Sequence, residues 1–222
     1  MEKNNDFVLK ETLRLLHITS NQDKELLSKI EEAEKKLKQI IKPQTLSKRV
    51  EISLSDDVIS LSGHKFASKD LSKLLSHCKT CIIMVTTLGY DTDKYITKLQ
   101  LNDMAEAVIT DAIASAMADS LCDCEEARIA RTLNKNEYMT MRFSPGYGDV
   151  PLAVSEIIID FLQANKRAGI SLTKSMMLLP VKSVTAIIGI SDRKEKRQKS
   201  CDICSISENC IYKKRGEICG VH

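Results

Sequence analysis

Residues 141–151 read MRFSPGYGDVP, and they contain the bend from which the rest of the predicted fold can be worked out. The segment Tyr138–Phe143 before the bend has the residue types of a β-strand. A Pro-Gly pair then supplies the turn, and Asp149, followed two residues later by a proline, is a common start of a helix. The pattern predicts a strand, a bend and a helix in this order, with the helix ending at Gly169.

The bend also has the chemistry of a binding site for an anionic group. Arg142 carries a forked cation suited to a carboxylate, and Tyr147 adds a ring face and a hydroxyl. Exposed backbone amides beside a helix start would favour the same ligands, and the glycines at 146 and 148 would allow close approach. The alternative is a strand-to-helix turn that needs proline and glycine for its shape alone.

Apolar periodicity indicates both helices and strands on either side of the bend. Asn102 to about Ala130 is the strongest helix pattern, with one apolar stripe. The segment 6–41 is also helical, with Asp23 or Asn21 as the cap of a second helix. Strands are predicted at Leu46–Ser53, Val58–Leu61, Cys81–Thr87 and Val181–Ile190. The first two are expected to pair as a hairpin across the Ser-Asp-Asp turn at residues 55–57. Because strands and helices alternate irregularly, we expect an α+β fold with a mixed or antiparallel sheet packed with helices.

Charge and hydropathy exclude several classes of protein. The net charge of +3 resides in residues 192–222, which contain eight Lys or Arg and five Asp or Glu. The neutral remainder lacks the broad basic face that nucleic-acid binding requires. No apolar run of about 18 residues predicts a membrane helix, and the N-terminus lacks a signal peptide. We therefore expect a cytoplasmic protein with no nucleic-acid and no membrane partner.

Two motifs carry a resemblance to a known family. The sequence Arg-x-x-x-Gly-Tyr, at residues 142–147, is followed at a matching interval by Leu172–Pro180 and then by Ser-Val at 183–184. Both resemble motifs in the activation domain of cobalamin-dependent methionine synthase. The string Arg142–Asp149 is especially similar to small stand-alone relatives of that domain. Those relatives also have a strand that ends in Leu-Gly, here at residues 88–89, and a cysteine-rich tail.

The resemblance implies a methionine synthase activation domain-like fold. Its core would be residues 70–191, residues 1–69 would be an N-terminal helical and strand segment of the same domain, and residues 192–222 would be a basic linker and a cysteine-rich tail. The implied ligand is S-adenosylmethionine, bound by Arg142, Phe143, Ser144, Pro145, Gly146 and Tyr147. Arg142 would fix the carboxylate of the ligand, backbone groups of residues 143–147 would hold the remainder, and Tyr147 would orient the ligand or contact the corrin.

The implied function is the reactivation of a cobalamin-dependent methyltransferase, most directly methionine synthase in methionine biosynthesis. Inactive cob(II)alamin would be reduced and then methylated by S-adenosylmethionine, with positioning as the contribution of this chain. The sequence has no Asp-x-His-x-x-Gly stretch, so the vitamin B12 cofactor would come from a corrinoid-binding methyltransferase partner, in trans. One departure from the family concerns the central helix, where Ser115 stands at the position of a ligand-binding carboxylate, with Asp111 and Asp119 one turn away.

The tail contains a candidate metal site with the spacing Cys-x2-Cys-x5-Cys-x8-Cys. Its members are Cys201, Cys204, Cys210 and Cys219. Four thiolates suit either a structural zinc ion or an iron–sulfur cluster, and neighbouring lysines would favour the thiolate forms. A cluster would relay an electron from a flavodoxin- or ferredoxin-type donor. The alternative is a reduced tail without order.

The sequence is also compatible with two other functions. The chain could be a metal or iron–sulfur electron-transfer activator of another corrinoid protein, in which the ligand loop is vestigial. It could also be a non-catalytic module that docks onto a corrinoid domain.

Overall fold

The computed structural model describes residues 2–18, 23–194, Glu208 and Lys214. The helices are α1 Glu2–Leu15, α2 Lys24–Ile40, α3 Lys69–Leu75, α4 Tyr90–Asn102, α5 Met104–Ala130, α6 Val154–Leu162 and α7 Ala164–Ala168. The strands are β1 Gln44–Ser55, β2 Val58–Leu61, β3 His64–Ala67, β4 Cys78–Thr87, β5 Tyr138–Met139, β6 Ser171–Leu172, β7 Leu178–Leu179 and β8 Ser183–Ser191. The four cysteines of the predicted metal site lie outside the described residues.

Six of the strands form one sheet in the order β3-β2-β1-β4-β8-β5, and β6 pairs with β7 in a separate ribbon. The pairs β1–β2, β2–β3 and β5–β8 are antiparallel. The predicted hairpin is confirmed, since Ser55 pairs with Val58 and Ile52 with Leu61. The predicted α+β class, with an antiparallel sheet packed against helices, is also confirmed.

The chain divides into two compact units, which are described separately. Unit 1 comprises the described parts of Met1–Lys48, Met84–Thr132 and Ser155–Thr185. Unit 2 comprises the described parts of Arg49–Ile83, Leu133–Val154 and Ala186–His222. The domain boundaries expected after residues 69 and 191 stay a prediction.

The core of unit 1 forms around α5, which packs against α1, α2 and α4. Its buried members include Val8, Leu13, Ile30, Leu37, Leu88, Ile96, Ile113 and Met117. The single apolar stripe expected on α5 is too narrow, because Ala114 and Ala118 outside that stripe are buried as well. Three neighbouring helices explain this wider burial, and small alanine side chains permit their close approach. Within residues 2–18 and 23–194, no helix is long and apolar enough to cross a membrane.

The helix predicted after the bend starts later than expected and is interrupted. It begins at Val154, not beside Asp149. Gln163 adopts a left-handed conformation with φ +53° and separates α6 from α7. The expected end at Gly169 is confirmed, since this residue has φ +64° and its N–H donates to the carbonyl of Asn165.

The strand predicted over Tyr138–Phe143 is divided into two short pairings in unit 2. Only Tyr138–Met139 forms β5, and Phe143 makes an isolated bridge to Ile187. Between them the Thr140 hydroxyl accepts the N–H of Gly189 at 2.8 Å, where a regular ladder would use a backbone carbonyl. A Cβ at Gly189 would lie 2.9 Å from the Thr140 methyl carbon, so the glycine permits this side-chain contact. The side-chain bond therefore interrupts the ladder.

Candidate functional site

The bend of unit 2 begins at a residue that is fixed to strand β8. Phe143 is buried, and it exchanges two backbone hydrogen bonds with Ile187, of 2.9 and 2.8 Å. Arg142 directly precedes this bridge and is half-buried. The bridge therefore fixes the backbone beside the guanidinium that the sequence singles out as a carboxylate partner.

A tight turn follows the bridge. The N–H of Tyr147 donates to the carbonyl of Ser144 at 3.1 Å, with proline and glycine as the two central residues. Gly146 has φ +91°, which is the third-residue geometry of a type II turn. A Cβ at this position would also lie only 2.7 Å from a methyl carbon of Leu152. The positive φ therefore favours glycine, and the exposed Leu152 side chain would have to move to make room for any other residue.

The backbone amides of the turn are largely used inside the protein. In residues 143–147, the N–H groups of Phe143, Gly146 and Tyr147 all donate to carbonyls of this chain, and Pro145 has no N–H. The expectation that these amides would be exposed for an anionic ligand is therefore wrong. Recognition by this loop falls to side chains and carbonyls, and Tyr147 is 71% exposed.

Asp149 anchors the other end of the loop to helix α3. Its carboxylate accepts hydrogen bonds from the hydroxyl of Ser68 and from the amides of Lys69 at 2.7 Å and Asp70 at 3.3 Å. Partial burial opposes ionisation, but these bonds prevail and hold the pKa of Asp149 below its ordinary value. The expectation that Asp149 caps the helix after it is thus wrong, because it binds the start of a helix about 80 residues earlier.

The loop also lies directly against the first turn of α3. Gly148 has φ +53°, and a Cβ there would overlap a carboxylate oxygen of Asp70. The same Cβ would lie 3.3 Å from the Phe143 ring. Glycine at this position is what permits the close approach between loop and helix.

The second sequence motif lies in unit 1 and forms a small β-ribbon. Residues 173–177 connect β6 to β7, and the Thr173 hydroxyl accepts the amide of Met177 at 3.0 Å. After the ribbon, the Ser183 hydroxyl donates to Thr87 at 2.8 Å and to the carbonyl of Pro180 at 2.6 Å. The motif therefore has a structural role in holding the start of β8 at the end of β4.

Lys182 is a charged residue near this motif that sequence reasoning missed. Its ammonium donates to Ser115 at 2.9 Å and lies 2.8 Å from a carboxylate oxygen of Asp111. Position 115 of the central helix, predicted to lack the family's carboxylate, thus faces a cation from 67 residues later. Nothing in the local sequence around Lys182 indicates this pairing, because the two segments meet only in the folded chain.

Four cysteines lie in the described residues. Cys78, Cys81 and Cys122 are buried and Cys124 is exposed. Burial raises the pKa of Cys81 to about 12, so it stays protonated and unreactive near neutral pH. Within residues 2–18 and 23–194, no group of His, Cys, Asp or Glu is arranged to hold a metal ion.

Known proteins that resemble this chain include one protein family and one solved structure. The family model described as "Vitamin B12 dependent methionine synthase, activation domain" matches residues 2–198. A solved structure described as the "MetH Reactivation Domain bound to AdoHcy" has a TM-score of 0.62 and 17% sequence identity to this chain. The match covers 92% of this chain and 77% of that one, which shows a shared fold. No curated protein sequence matches the chain significantly.

Proposed function

Because the chain belongs to the family of vitamin B12 dependent methionine synthase activation domains, we propose that it binds S-adenosylmethionine through residues 142–147 and reactivates a cobalamin-dependent methyltransferase. The observation that carries this proposal is the fixed turn in unit 2. It holds the half-buried Arg142 and the exposed Tyr147 at a constant spacing on one short loop. The similar MetH domain binds AdoHcy, the demethylated form of this ligand, which supports the same ligand class.

Each side chain of the loop has a role that follows from its chemistry. Arg142 forms a two-pronged salt bridge with the carboxylate of the amino-acid end of the ligand. Tyr147 offers its ring face to the adenosyl part or to the corrin. Phe143, Ser144, Pro145 and Gly146 set the backbone, and the carbonyls of Pro145 and Gly146 face the remaining polar groups of the ligand. No acid or base is required, because a sulfonium is already a good leaving group, so the contribution is positioning.

The cobalamin belongs to a partner protein in this proposal. When bound to the partner and reduced by one electron, the cobalamin would supply the nucleophile for the methyl group of the sulfonium, with S-adenosylhomocysteine as the leaving product. The 222 residues contain four histidines but no Asp-x-His-x-x-Gly stretch that would hold a cobalamin. The proposed partner is a corrinoid-binding methyltransferase on which this chain acts in trans, with methionine synthase as the first candidate.

Calorimetric titration with S-adenosylmethionine tests the ligand directly. We expect the wild type to bind and Arg142→Ala to bind at least about tenfold more weakly, since a charge-assisted pair is lost. Arg142→Lys should recover part of the affinity, because lysine keeps the charge but not the fork. The exposed Lys79→Ala in the same unit is the matched control. A wild type that binds no S-adenosylmethionine, with or without the corrinoid partner, contradicts the proposal.

The four tail cysteines support a second function, that of an electron-transfer activator. The spacing of Cys201, Cys204, Cys210 and Cys219 in the sequence would suit four thiolate ligands of an iron–sulfur cluster or of zinc. A cluster would pass the electron from a flavodoxin- or ferredoxin-type protein to the corrinoid. Visible absorption of anaerobically purified protein that bleaches with dithionite supports the cluster, and a colourless protein with one zinc per chain supports a structural ion.

A reactivation assay with the corrinoid partner separates chemistry from docking. If Arg142→Ala abolishes methylation of the cobalamin but still binds the partner, the loop contributes to chemistry. If this variant supports full reactivation, the chain acts as an electron-transfer or docking module instead.

A further inference from the structure

We propose that Asp149 is a positioning residue that holds the 142–147 loop in its binding orientation, an inference that rests on the function proposed above. Its carboxylate and the three groups of α3 that it binds are called the Asp149 clasp. They are the hydroxyl of Ser68 and the amides of Lys69 and Asp70. All three lie about 80 positions earlier in the sequence, so the clasp is a tertiary tie.

The loop behaves as one rigid piece between two anchors. Within it, the amide of Gly146 donates to Val150 at 2.9 Å, and that of Val150 donates to Tyr147 at 3.1 Å. These bonds couple the turn to the residues that flank Asp149. The bridge of Phe143 to β8 fixes one end, and the Asp149 clasp fixes the other.

The clasp is well suited to this task. A carboxylate that accepts from a hydroxyl and two helix amides forms charge-assisted bonds, which are stronger than neutral ones. The same bonds supply the partners that the first amides of α3 would otherwise lack.

Loss of the clasp removes the hydrogen bonds between the loop and α3 but leaves the β8 bridge at the other end of the loop intact. The turn can then pivot about Phe143, and the orientation that presents Arg142 and Tyr147 together becomes one of several. A ligand that binds only this orientation loses affinity in proportion to the fraction of molecules that adopt it. The expected effect is on ligand affinity and on the local exchange of loop amides, with the strand bridge intact.

Amide hydrogen exchange followed by NMR tests the clasp without any ligand. In Asp149→Ala we expect the amides of Gly146, Tyr147 and Val150 to exchange at least about tenfold faster, while that of Ile187 stays protected. Asp149→Asn should lie between this variant and the wild type, because an amide oxygen still accepts one bond. Asp57→Asn, which removes an exposed carboxylate in the same unit, is the control.

Two outcomes of this measurement overturn the proposal. Unchanged exchange in the loop shows that the clasp does not position it. Equally faster exchange at Ile187 shows that Asp149 supports the whole unit and not the loop in particular.

Titration with S-adenosylmethionine then measures whether the loop position held by Asp149 affects ligand affinity. We expect Asp149→Ala to bind about tenfold more weakly and Asp149→Asn to show an intermediate affinity. If the wild type binds and Asp149→Ala binds equally well, the clasp proposal fails and the proposed function stands. If the wild type does not bind, the proposed function fails, and the exchange measurement alone decides whether Asp149 positions the loop.

Discussion

The ammonium of Lys182 lies 2.8 Å from a carboxylate oxygen of Asp111, and the two side chains are unequally exposed, at 11% and 51% respectively. Lysine has therefore lost most of its hydration on folding, whereas the aspartate has kept about half. Removing the exposed aspartate leaves the buried ammonium of Lys182 without a counter-charge and with little access to water. Removing the lysine has a smaller cost, because water can solvate the aspartate that remains.

Substitutions at the two positions should accordingly have different effects on stability. We expect Asp111→Ala to lower the free energy of unfolding by about 1–2 kcal/mol, since Lys182 keeps only the Ser115 hydroxyl. Lys182→Met should cost less, because the aspartate can be hydrated again and the methionine fills the same space. Urea denaturation of the single and double variants measures both effects and their coupling. A larger loss for Lys182→Met would contradict the stated asymmetry.

Gly148 in the bend should be more sensitive to substitution by alanine than a glycine with a similar backbone and no close neighbours. Gly148→Ala is expected to lower the free energy of unfolding by about 1–3 kcal/mol, because the new methyl group meets Asp70 and the backbone has a positive φ. Gly169 has a similar φ of +64° but no atom within 4 Å of a new Cβ. Gly169→Ala therefore isolates the contribution of the left-handed backbone.

Denaturant unfolding of the two alanine variants measures the difference. Equal losses at the two positions would show that the contact with α3 contributes nothing beyond backbone strain.

Glu125 in unit 1 predicts a loss of stability in acid. This residue is 3% exposed, and it accepts two bonds from Arg128, of 2.6 and 2.8 Å, and one from Thr45. Burial opposes its ionisation, but these bonds prevail and lower the pKa below the ordinary value of 4.5. Because the folded pKa is the lower one, the stabilisation is complete above the unfolded pKa and is lost as the pH falls through the folded pKa.

Glu125→Gln should therefore lower the free energy of unfolding by about 1–3 kcal/mol near pH 7. The difference from wild type should shrink as the pH falls below the ordinary pKa of 4.5 and then through the lowered folded-state pKa, because the wild-type carboxylate is finally protonated in both states. Urea denaturation at several pH values measures this convergence, with the exposed Glu51→Gln as the control. A difference that stays constant from neutral to acid pH would contradict the proposed ion pair.

Glu137 in unit 2 should titrate at unusually low pH. The guanidinium of Arg49 donates to its carboxylate at 2.6 Å, and the backbone and side-chain amides of Asn134 donate to the second oxygen at 3.0 Å. The bond from Arg49, followed by those from Asn134, lowers the pKa of Glu137 to about 2. NMR titration of the carboxyl carbon should detect this value, and Arg49→Ala should raise it toward the ordinary range. An unchanged pKa in the variant would assign the shift to Asn134 alone.

Local patterns predicted much of the secondary structure. The alternation in residues 46–61 with its Ser-Asp-Asp turn predicted the β1–β2 hairpin. Asp23 or Asn21 was expected to cap α2, and the structure shows Asp23 in this role through its bond to the amide of Leu26. The short helix α3 was missed, although Ser68 and Asp70 form a local start signal. Helix caps and hairpin turns can be predicted from the sequence because the residues that form them are close together along the chain.

The sequence by itself indicated the family through the resemblance of two motifs, and it determined the α+β class and the position of the bend through apolar periodicity and turn residues. Tertiary structure alone decided that Asp149 binds α3 and not the helix that follows it, and that Lys182 faces Ser115. In both cases a charged side chain forms its hydrogen bonds with residues that are distant in the sequence. Only the packing of the chain brings the distant partner within hydrogen-bond reach, and no local pattern encodes that choice.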